Sequence, residues 1–432
     1  MEVRLDQRDP AAPLAVSFQE PSAAKIPALH EVQRPAEDET CLKGEVAMYI
    51  PAWPSLNPAY FVKSSALQSL PFPLNCTSKT YFYVARSGIY HLARALGLDK
   101  GGTVLVPDYH HGNEIFALRA AGARLRYYPV KKNLEPDLDA VAKLCEENPR
   151  VLYVTHFIGF PQPMAELQAL CRDKGIMLIE DCALSFMSEY DRKPLGTFGD
   201  YSIFCLYKSL PVPNGGVLAV NSPLPPGGED EKAPLGANLN FASKLSVAAR
   251  SIELTLQWLR SRYETCGRAL FTLKRAAGRT LSAGRVRRVP VGDTGFDLSI
   301  VNVGMSPICH TLLPRFEYNW IKETRRRNFR VLEERLRGTV SLLDIKLNEG
   351  VCPLFFPLLV KDKQSASRDL WQAGIETVEF WNRGDADLEH QKSDANFLRR
   401  HLLEVPIHQD VTANAAERMA EEIIRLRIGM AA

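Results

Sequence analysis

Apolar and polar positions alternate between two periods from about residue 83 to residue 220. Apolar residues at helical spacing, including Ile89, Leu92 and Leu96, are followed by a short apolar run that Pro107 closes. Strand-like and helical patterns continue to alternate, with short connections, through Arg124–Val130, Leu138–Leu144, Val151–Thr155, Ala165–Lys174 and Ile176–Ile179. Strands and helices in alternation predict a mostly parallel sheet with helices on both faces.

Three further segments flank this alternation. Residues 1–45 are rich in Pro, Ala, Glu and Gln and have no sustained period, so we expect a flexible tail before a large domain at residues 46–235. Apolar positions in steps of three and four then predict a long helix or helix pair in an insertion at residues 236–300. Residues 301–432 are expected to form a second long helix and a small C-terminal α/β domain.

The predicted insertion is strongly basic. Between residues 241 and 290, eleven Lys and Arg stand against two Asp and Glu, a net charge of +9 in a chain whose total is +3. We expect its apolar stripe to pack on its own protein or on a dimer mate. A nucleotide diphosphate, an anionic partner or a membrane surface stay open as other ligands, whereas the low total charge argues against nucleic acid.

Composition narrows the class of protein. Hydrophobic residues make up 46% of the chain and charged residues 24%, which excludes a wholly disordered protein. The sequence has no apolar stretch of about 18 residues and no secretory signal pattern. The nine cysteines are scattered, and Cys and His show no ligand spacing. We therefore expect a cytoplasmic protein with reduced thiols and without a metal site.

Two short motifs suggest a binding site. Ser87-Gly88-Ile89 begins a predicted helix, where backbone N–H groups can hold a phosphate. Asp181 follows Glu180 at the end of a buried strand, where a carboxylate can keep a bound pyridine nitrogen protonated. A helix cap explains either motif at least as well when it is taken alone.

Lys208 supplies a third motif. It ends an apolar strand before the Pro- and Gly-rich turn at residues 211–216, where partial desolvation favours a nucleophilic amine. A lysine that extends its charge into solvent is the commoner outcome at such a position. A phosphate cradle, a carboxylate and a nucleophilic lysine together are what a pyridoxal 5′-phosphate site needs.

The sequence around these motifs resembles the DegT-type aminotransferases, which act mostly on nucleotide-linked keto-sugars. The motifs that carry the resemblance are Val104–Tyr109, Ala121–Ala123, His156–Gly159, Ile179–Ala183, Gly196–Asp200, Lys208, Gly215-Gly216 and Val405–His408. The resemblance implies an α/β protein of pyridoxal phosphate fold type I: a mostly parallel, seven-stranded cofactor-binding sheet, helices on both faces, and a small C-terminal α/β domain. It also implies glutamate as amino donor and a homodimer with a shared active site.

The resemblance implies a role for each matching residue. Lys208 forms the Schiff base with pyridoxal phosphate and moves a proton between substrate and cofactor. Asp181 pairs with the pyridine nitrogen, and the N–H groups of Gly88 and Ile89 hold the phosphate. His111 stacks on the cofactor ring, with an ordinary loop histidine as the alternative.

Asn302 matches an asparagine with which the family reaches the neighbouring subunit's phosphate, and a loop cap is the alternative. The chain departs from the family at Leu184, where Gln or His is usual, and at Gly304, where an arginine is expected. The family's phosphate-binding serine is replaced by Cys205 or shifted to Ser202. These departures keep open a non-catalytic scaffold in polysaccharide assembly, or another pyridoxal phosphate reaction on an amino acid.

Overall fold

The computed structural model describes residues 49–65, 69–224, 235–236, 238–263, 295–381 and 393–431. The tail expected at residues 1–45 and the greater part of the basic segment 241–290 lie outside these residues. The strands are β1 Lys79–Phe82, β2 Thr103–Pro107, β3 Arg124–Tyr128, β4 Val151–Thr155, β5 Met177–Cys182, β6 Glu189–Tyr190, β7 Lys193–Pro194, β8 Tyr201–Cys205, β9 Gly216–Val220, β10 Phe355–Leu359 and β11 Leu402–Pro406. The helices are α1 Ala85–Ala95, α2 Asn113–Ala120, α3 Leu138–Cys145, α4 Met164–Lys174, α5 Leu206–Ser209, α6 Lys244–Arg262, α7 Pro307–Leu312, α8 Tyr318–Leu336, α9 Lys363–Gln372, α10 Asp394–His401 and α11 Ala413–Leu426.

A seven-stranded sheet lies at the centre of the described chain, in the order β1-β9-β8-β5-β4-β2-β3. Strands β8, β5, β4, β2 and β3 are parallel neighbours, whereas β9 runs antiparallel to both β8 and β1. The predicted α/β fold with a mostly parallel sheet is confirmed. The antiparallel β9 is a feature that periodicity alone does not predict, because alternation fixes faces and not direction.

Helices cover both faces of this sheet. On one face, Leu92 of α1 and Leu118 of α2 are buried with Ile179 of β5. On the other face, Leu167 of α4 is buried in the cluster that holds Leu178. Because consecutive strand residues point to opposite faces, β5 contributes to both helical layers, which explains its continuous apolar run.

The C-terminal part forms a small α/β unit in which β10 and β11 pair antiparallel. Apolar residues of β10, β11 and α11 join the same buried cluster as one face of the large sheet, so the two parts share a core. The predicted strand end at Val405-Pro406 is β11. The strand expected at residues 375–380 instead makes isolated bridges, one from Val378 to Glu404.

The basic helix expected from Leu245 begins one residue earlier, as α6 Lys244–Arg262. Among the described residues, every helix is too short or too polar to cross a bilayer.

Candidate active site

Lys208 lies on a single helical turn, α5, that follows β8. The turn is tied at its start, where the Leu206 N–H donates to the Gly215 C=O at 2.9 Å. It is closed at its end, where the Leu210 N–H donates to the Leu206 C=O at 2.8 Å. The Lys208 side chain is half-buried. Its amine is therefore held by a rigid turn at the end of a central strand.

Asp181 is the acid at the end of the neighbouring strand β5. It stands beside Thr155 of β4 and Ile203 of β8 in the parallel register. The side chain is buried, and its Oδ2 accepts the Tyr153 O–H at 2.7 Å while its Oδ1 accepts the Ala183 N–H at 2.9 Å. Each carboxylate oxygen has a further lone pair, so these bonds orient the acid and leave it able to accept another donor.

The charges of Lys208 and Asp181 act on the same buried groups. Burial raises the pKa of the Glu114 carboxyl to about 7, and the charge of Asp181 adds to this increase while Lys208 opposes it. Burial also raises the pKa of the Cys205 thiol, with Lys208 opposing the increase and Asp181 adding to it. Because β5 and β8 are parallel neighbours, Asp181 at the end of β5 and the Lys208 turn after β8 border the same edge of the sheet and the space outside it.

His111 borders the same space from the loop before α2. The His111 backbone N–H donates to Glu114 Oε1 at 2.8 Å, and this bond fixes the loop against the first turn of the helix. Burial lowers the pKa of the His111 imidazole to about 3, and the positive charges of Lys208 and Arg86 lower it further. The ring is therefore neutral at pH 7, the form in which an imidazole can stack on a bound heterocycle.

The start of α1 differs from the expectation. The helix begins at Ala85, so the N–H groups of Gly88 and Ile89 point at carbonyls four residues earlier. At the start of the helix the Ser87 N–H donates to the Val84 C=O at 3.2 Å, so any N–H group outside the helical pattern must precede Ser87. Within the described residues, the buried Ser87 hydroxyl has no hydrogen-bond partner.

Cys205 and Ser202, the two alternatives for the phosphate-binding position, lie on opposite faces of β8. Cys205 alternates with Ile203 and so shares the face of Asp181, the register neighbour of Ile203. Ser202 points the other way, since a Cβ built on Gly196 would lie 2.9 Å from Ser202 Oγ. The expectation for Ser202 is therefore not supported, and Ser202 is left out of the site.

Asn302 precedes Val303, whose C=O accepts the Tyr83 N–H at 2.8 Å just before α1. Its side chain is exposed, and its backbone C=O accepts the Asn240 N–H at 2.7 Å. The role expected for it concerns a neighbouring subunit, so it stays a prediction.

Glu180, the neighbour of Asp181, belongs to the opposite face. Its Oε1 accepts the N–H groups of Phe198 and Gly199 at 2.7 and 2.6 Å, and its Oε2 accepts the Gly196 N–H at 2.8 Å. His156 Nε2 lies 3.1 Å from the same Oε2. His156, Glu180 and Cys182 bring ligand atoms within 4.8 Å of one another, but these hydrogen bonds commit Glu180 to anchoring the turn at residues 194–199.

Three residues of the site were missed in the sequence. Tyr153 was detectable, because period two sets it on the face of Thr155, next to the acid. Glu114 and Phe380 have no local signal. The Phe380 ring comes from the C-terminal part of the chain, and its centroid lies 5.3 Å from Lys208 Nζ.

Solved structures similar to this chain define the class of fold. Helicobacter pylori PseC, an aminotransferase involved in the biosynthesis of pseudoaminic acid, matches with a TM-score of 0.59 at 14% identity, over 88% of this chain and 98% of that one. DesV from S. venezuelae matches with a TM-score of 0.57 at 16% identity, over 86% and 90%. The fold is that of the fold type I aminotransferases.

Sequence comparison gives the family that part of this chain resembles. Residues 85–225 match the profile of the DegT/DnrJ/EryC1/StrS aminotransferase family, which confirms the resemblance for that part of the chain. GDP-perosamine synthase of Escherichia coli O157:H7 is 28% identical over 135 residues, 30% of this chain and 37% of that protein. A dTDP-4-dehydro-2,3,6-trideoxy-D-glucose 4-aminotransferase of Saccharopolyspora spinosa is 29% identical over 140 residues, 32% and 36%. The chain spans a little over a third of the length of these relatives.

Proposed function

We propose that this chain is a pyridoxal phosphate-dependent aminotransferase that transfers an amino group from glutamate to a keto-sugar carried on a nucleotide. The observation that carries the proposal is the Lys208 amine and the buried Asp181 carboxylate around one space at the ends of parallel strands. Ligands of open α/β sheets bind at this edge of the sheet. The family match of residues 85–225 supports the reaction class.

The residues around Lys208 fit pyridoxal phosphate. The cofactor has an aldehyde, a basic ring nitrogen and a phosphate, so its site needs an amine, an acid and hydrogen-bond donors. Lys208 and Asp181 provide the first two. In the part of the chain that the structure describes, the buried hydroxyls of Ser87 and Thr155 have no hydrogen-bond partner. An unpaired buried polar group costs about 1–3 kcal/mol, so a bound ligand that accepts from them is favoured.

When bound, the cofactor supplies an electron sink that stabilises a carbanion. The chain's own residues hold the ring and move protons. Asp181 keeps the ring nitrogen protonated, and Tyr153 keeps that carboxylate aimed through its 2.7 Å bond. Lys208 Nζ would move the proton between the substrate carbon and the cofactor. His111 offers a neutral face for stacking, which avoids a second cation over the ring.

The substrate classes rest on the relatives. Two of them are named for GDP- and dTDP-linked sugars, which supports a nucleotide-linked acceptor. Another relative, from Streptomyces kanamyceticus, is named L-glutamine:2-deoxy-scyllo-inosose aminotransferase, so glutamine is the competing donor to test. We also propose a homodimer in which the exposed Asn302 reaches the partner's phosphate site.

A half-reaction assay tests the proposal. Glutamate added to the purified protein with pyridoxal phosphate is expected to bleach the visible absorbance band and to release 2-oxoglutarate. The amine form is then offered a panel of keto-sugar nucleotides, and a gain of one amino group is read by mass spectrometry. Bleaching by glutamine and not by glutamate would overturn the assignment of glutamate as amino donor. A folded protein that takes up no cofactor would overturn the proposed enzymatic function and favour the non-catalytic scaffold.

A further inference from the structure

Phe380 covers the Lys208 amine from the C-terminal part of the chain. Its ring centroid lies 5.3 Å from Lys208 Nζ and 5.9 Å from the His111 ring, which it meets edge-on. The side chain is buried, with Trp381 stacked on it at 5.7 Å. An apolar ring this close to an amine excludes water from one side of it and bounds the space that a substrate can occupy.

A buried ion pair holds the backbone of Phe380 on both sides. Lys363 Nζ donates to the Phe380 C=O at 2.6 Å, and the Phe380 N–H donates to Glu404 Oε2 at 3.2 Å. Lys363 Nζ lies 4.0 Å from the same Oε2. Lys363 begins α9 and Glu404 is the centre of β11. Two separate elements therefore hydrogen-bond to the backbone of Phe380.

This pair satisfies two backbone groups at a high cost in desolvation free energy. The Lys363 and Glu404 side chains are 5% and 0% exposed, and Lys and Glu are almost never buried so fully. Burial raises the pKa of Glu404 to about 7 and lowers the pKa of Lys363. Glu404 Oε1 has no hydrogen-bond partner among the residues that the structure describes. Neutral residues of similar size would satisfy the backbone at lower cost.

We propose that Lys363 and Glu404 are positioning residues of the Lys208 site, which act by clamping Phe380 so that its ring stays over the amine. The inference rests on the proposed function only for the reactivity of Lys208. The clamp joins the small α/β unit to the site, since neither Lys363 nor Glu404 belongs to the large sheet. It therefore sets how far the acceptor can approach the amine.

The test measures access to Lys208 in the purified full chain, treated with hydroxylamine so that no carbonyl compound blocks the amine and then dialysed free of hydroxylamine. The protein is labelled with an N-hydroxysuccinimide acetate ester, and the rate at each lysine is read by peptide mass spectrometry. Phe380→Leu removes the ring and is expected to speed labelling of Lys208 several-fold. Glu404→Gln keeps an oxygen for the Phe380 N–H but removes the charge, and is expected to speed it by a comparable factor.

A double variant decides whether the pair acts through the ring. Glu404→Gln added to Phe380→Leu is expected to change the Lys208 rate no further, because the clamp has nothing left to hold. Exposed Lys174 is the internal control, and its rate should not change. Glu189→Gln, which breaks the Lys322–Glu189 pair elsewhere, is the matched control variant and should leave Lys208 as in the wild type.

Two results overturn the inference. One is a wild-type labelling rate at Lys208 in Glu404→Gln; the other is a double variant whose effect is the product of the two single effects. If Glu404→Gln does not fold, Lys363→Met, which keeps most of the apolar stem, is tested against the same expectations. Labelling reports geometry whether or not the protein transfers amino groups, so its failure is distinguishable from failure of the proposed function.

Discussion

Two carboxylates near Lys208, those of Asp181 and Glu114, lie in different surroundings. Asp181 accepts hydrogen bonds from the Tyr153 hydroxyl and the Ala183 amide. Glu114 is buried near that charge, and its pKa is raised to about 7. Glu114 therefore exchanges its proton close to neutral pH.

Glu114→Gln tests this difference through stability. An acid whose folded-state pKa is raised from 4.5 to about 7 stabilises the fold below pH 4.5, and this contribution is lost as pH rises through 7. Between pH 5 and 8 the wild type should lose of the order of 3 kcal/mol of unfolding free energy relative to the variant. Urea unfolding at both pH values measures it. Parallel losses in the two proteins would contradict the raised pKa.

Local pattern predicts part of this site and misses the rest for a physical reason. Lys208 and Asp181 stand at strand ends, and strand ends are visible as the close of an apolar run. Ser202 and Cys205 could not be distinguished, because which face of β8 points to the site depends on its neighbours. Phe380 is brought to Lys208 only by packing of the C-terminal part, which no local pattern encodes.

At the scale of elements, the site depends on how closely α1 approaches β9. A Cβ built on Gly216, the first residue of β9, would lie 2.4 Å from the Ala85 backbone nitrogen. The Gly215 N–H donates to the Tyr83 C=O at 2.9 Å in the same place. The start of α1 is thus held over the strand that follows the Lys208 turn, and a side chain would force them apart.

Gly216→Ala is therefore expected to lower the free energy of unfolding by about 1–3 kcal/mol, as overpacking does. It should also weaken binding of inorganic phosphate at the start of α1. Gly304→Ala is the matched control, because its Cβ would have its nearest neighbour at 3.5 Å, an ordinary contact. Urea unfolding compares the two. A loss in Gly304→Ala as large as in Gly216→Ala would show that the close approach is not the cause.

Element order was the most predictable feature of the fold. The exchange of helical and strand periods from residue 83 to residue 220 predicts parallel strands with crossover helices, and the structure has them. The direction of β9 was not predictable, because the short turn from Lys208 to Gly216 decides it. Residues 375–380 have a strand-like apolar content, yet their backbone makes only isolated bridges around the Phe380 clamp.

At the scale of the whole molecule, the proposed dimer makes each site a property of two chains. If Asn302 completes the partner's site, Lys208→Ala in one chain and Asn302→Ala in the other fall in the same site of a mixed dimer and leave the second site intact. Separately inactive variants, unfolded and refolded together in equal amounts, should then regain about a quarter of wild-type turnover, because half the dimers are mixed and each has one intact site. No recovery in a verified mixed dimer would contradict a shared site.

The proposed function requires Lys208 to be the amine that bonds the cofactor. Borohydride reduction of the protein with pyridoxal phosphate, followed by peptide mass spectrometry, tests it most directly. We expect a visible band that reduction removes and a stable adduct on Lys208. Both should be lost in Lys208→Ala but not in the exposed-lysine control Lys174→Ala. An adduct on another lysine, or a band that survives in Lys208→Ala, would contradict it.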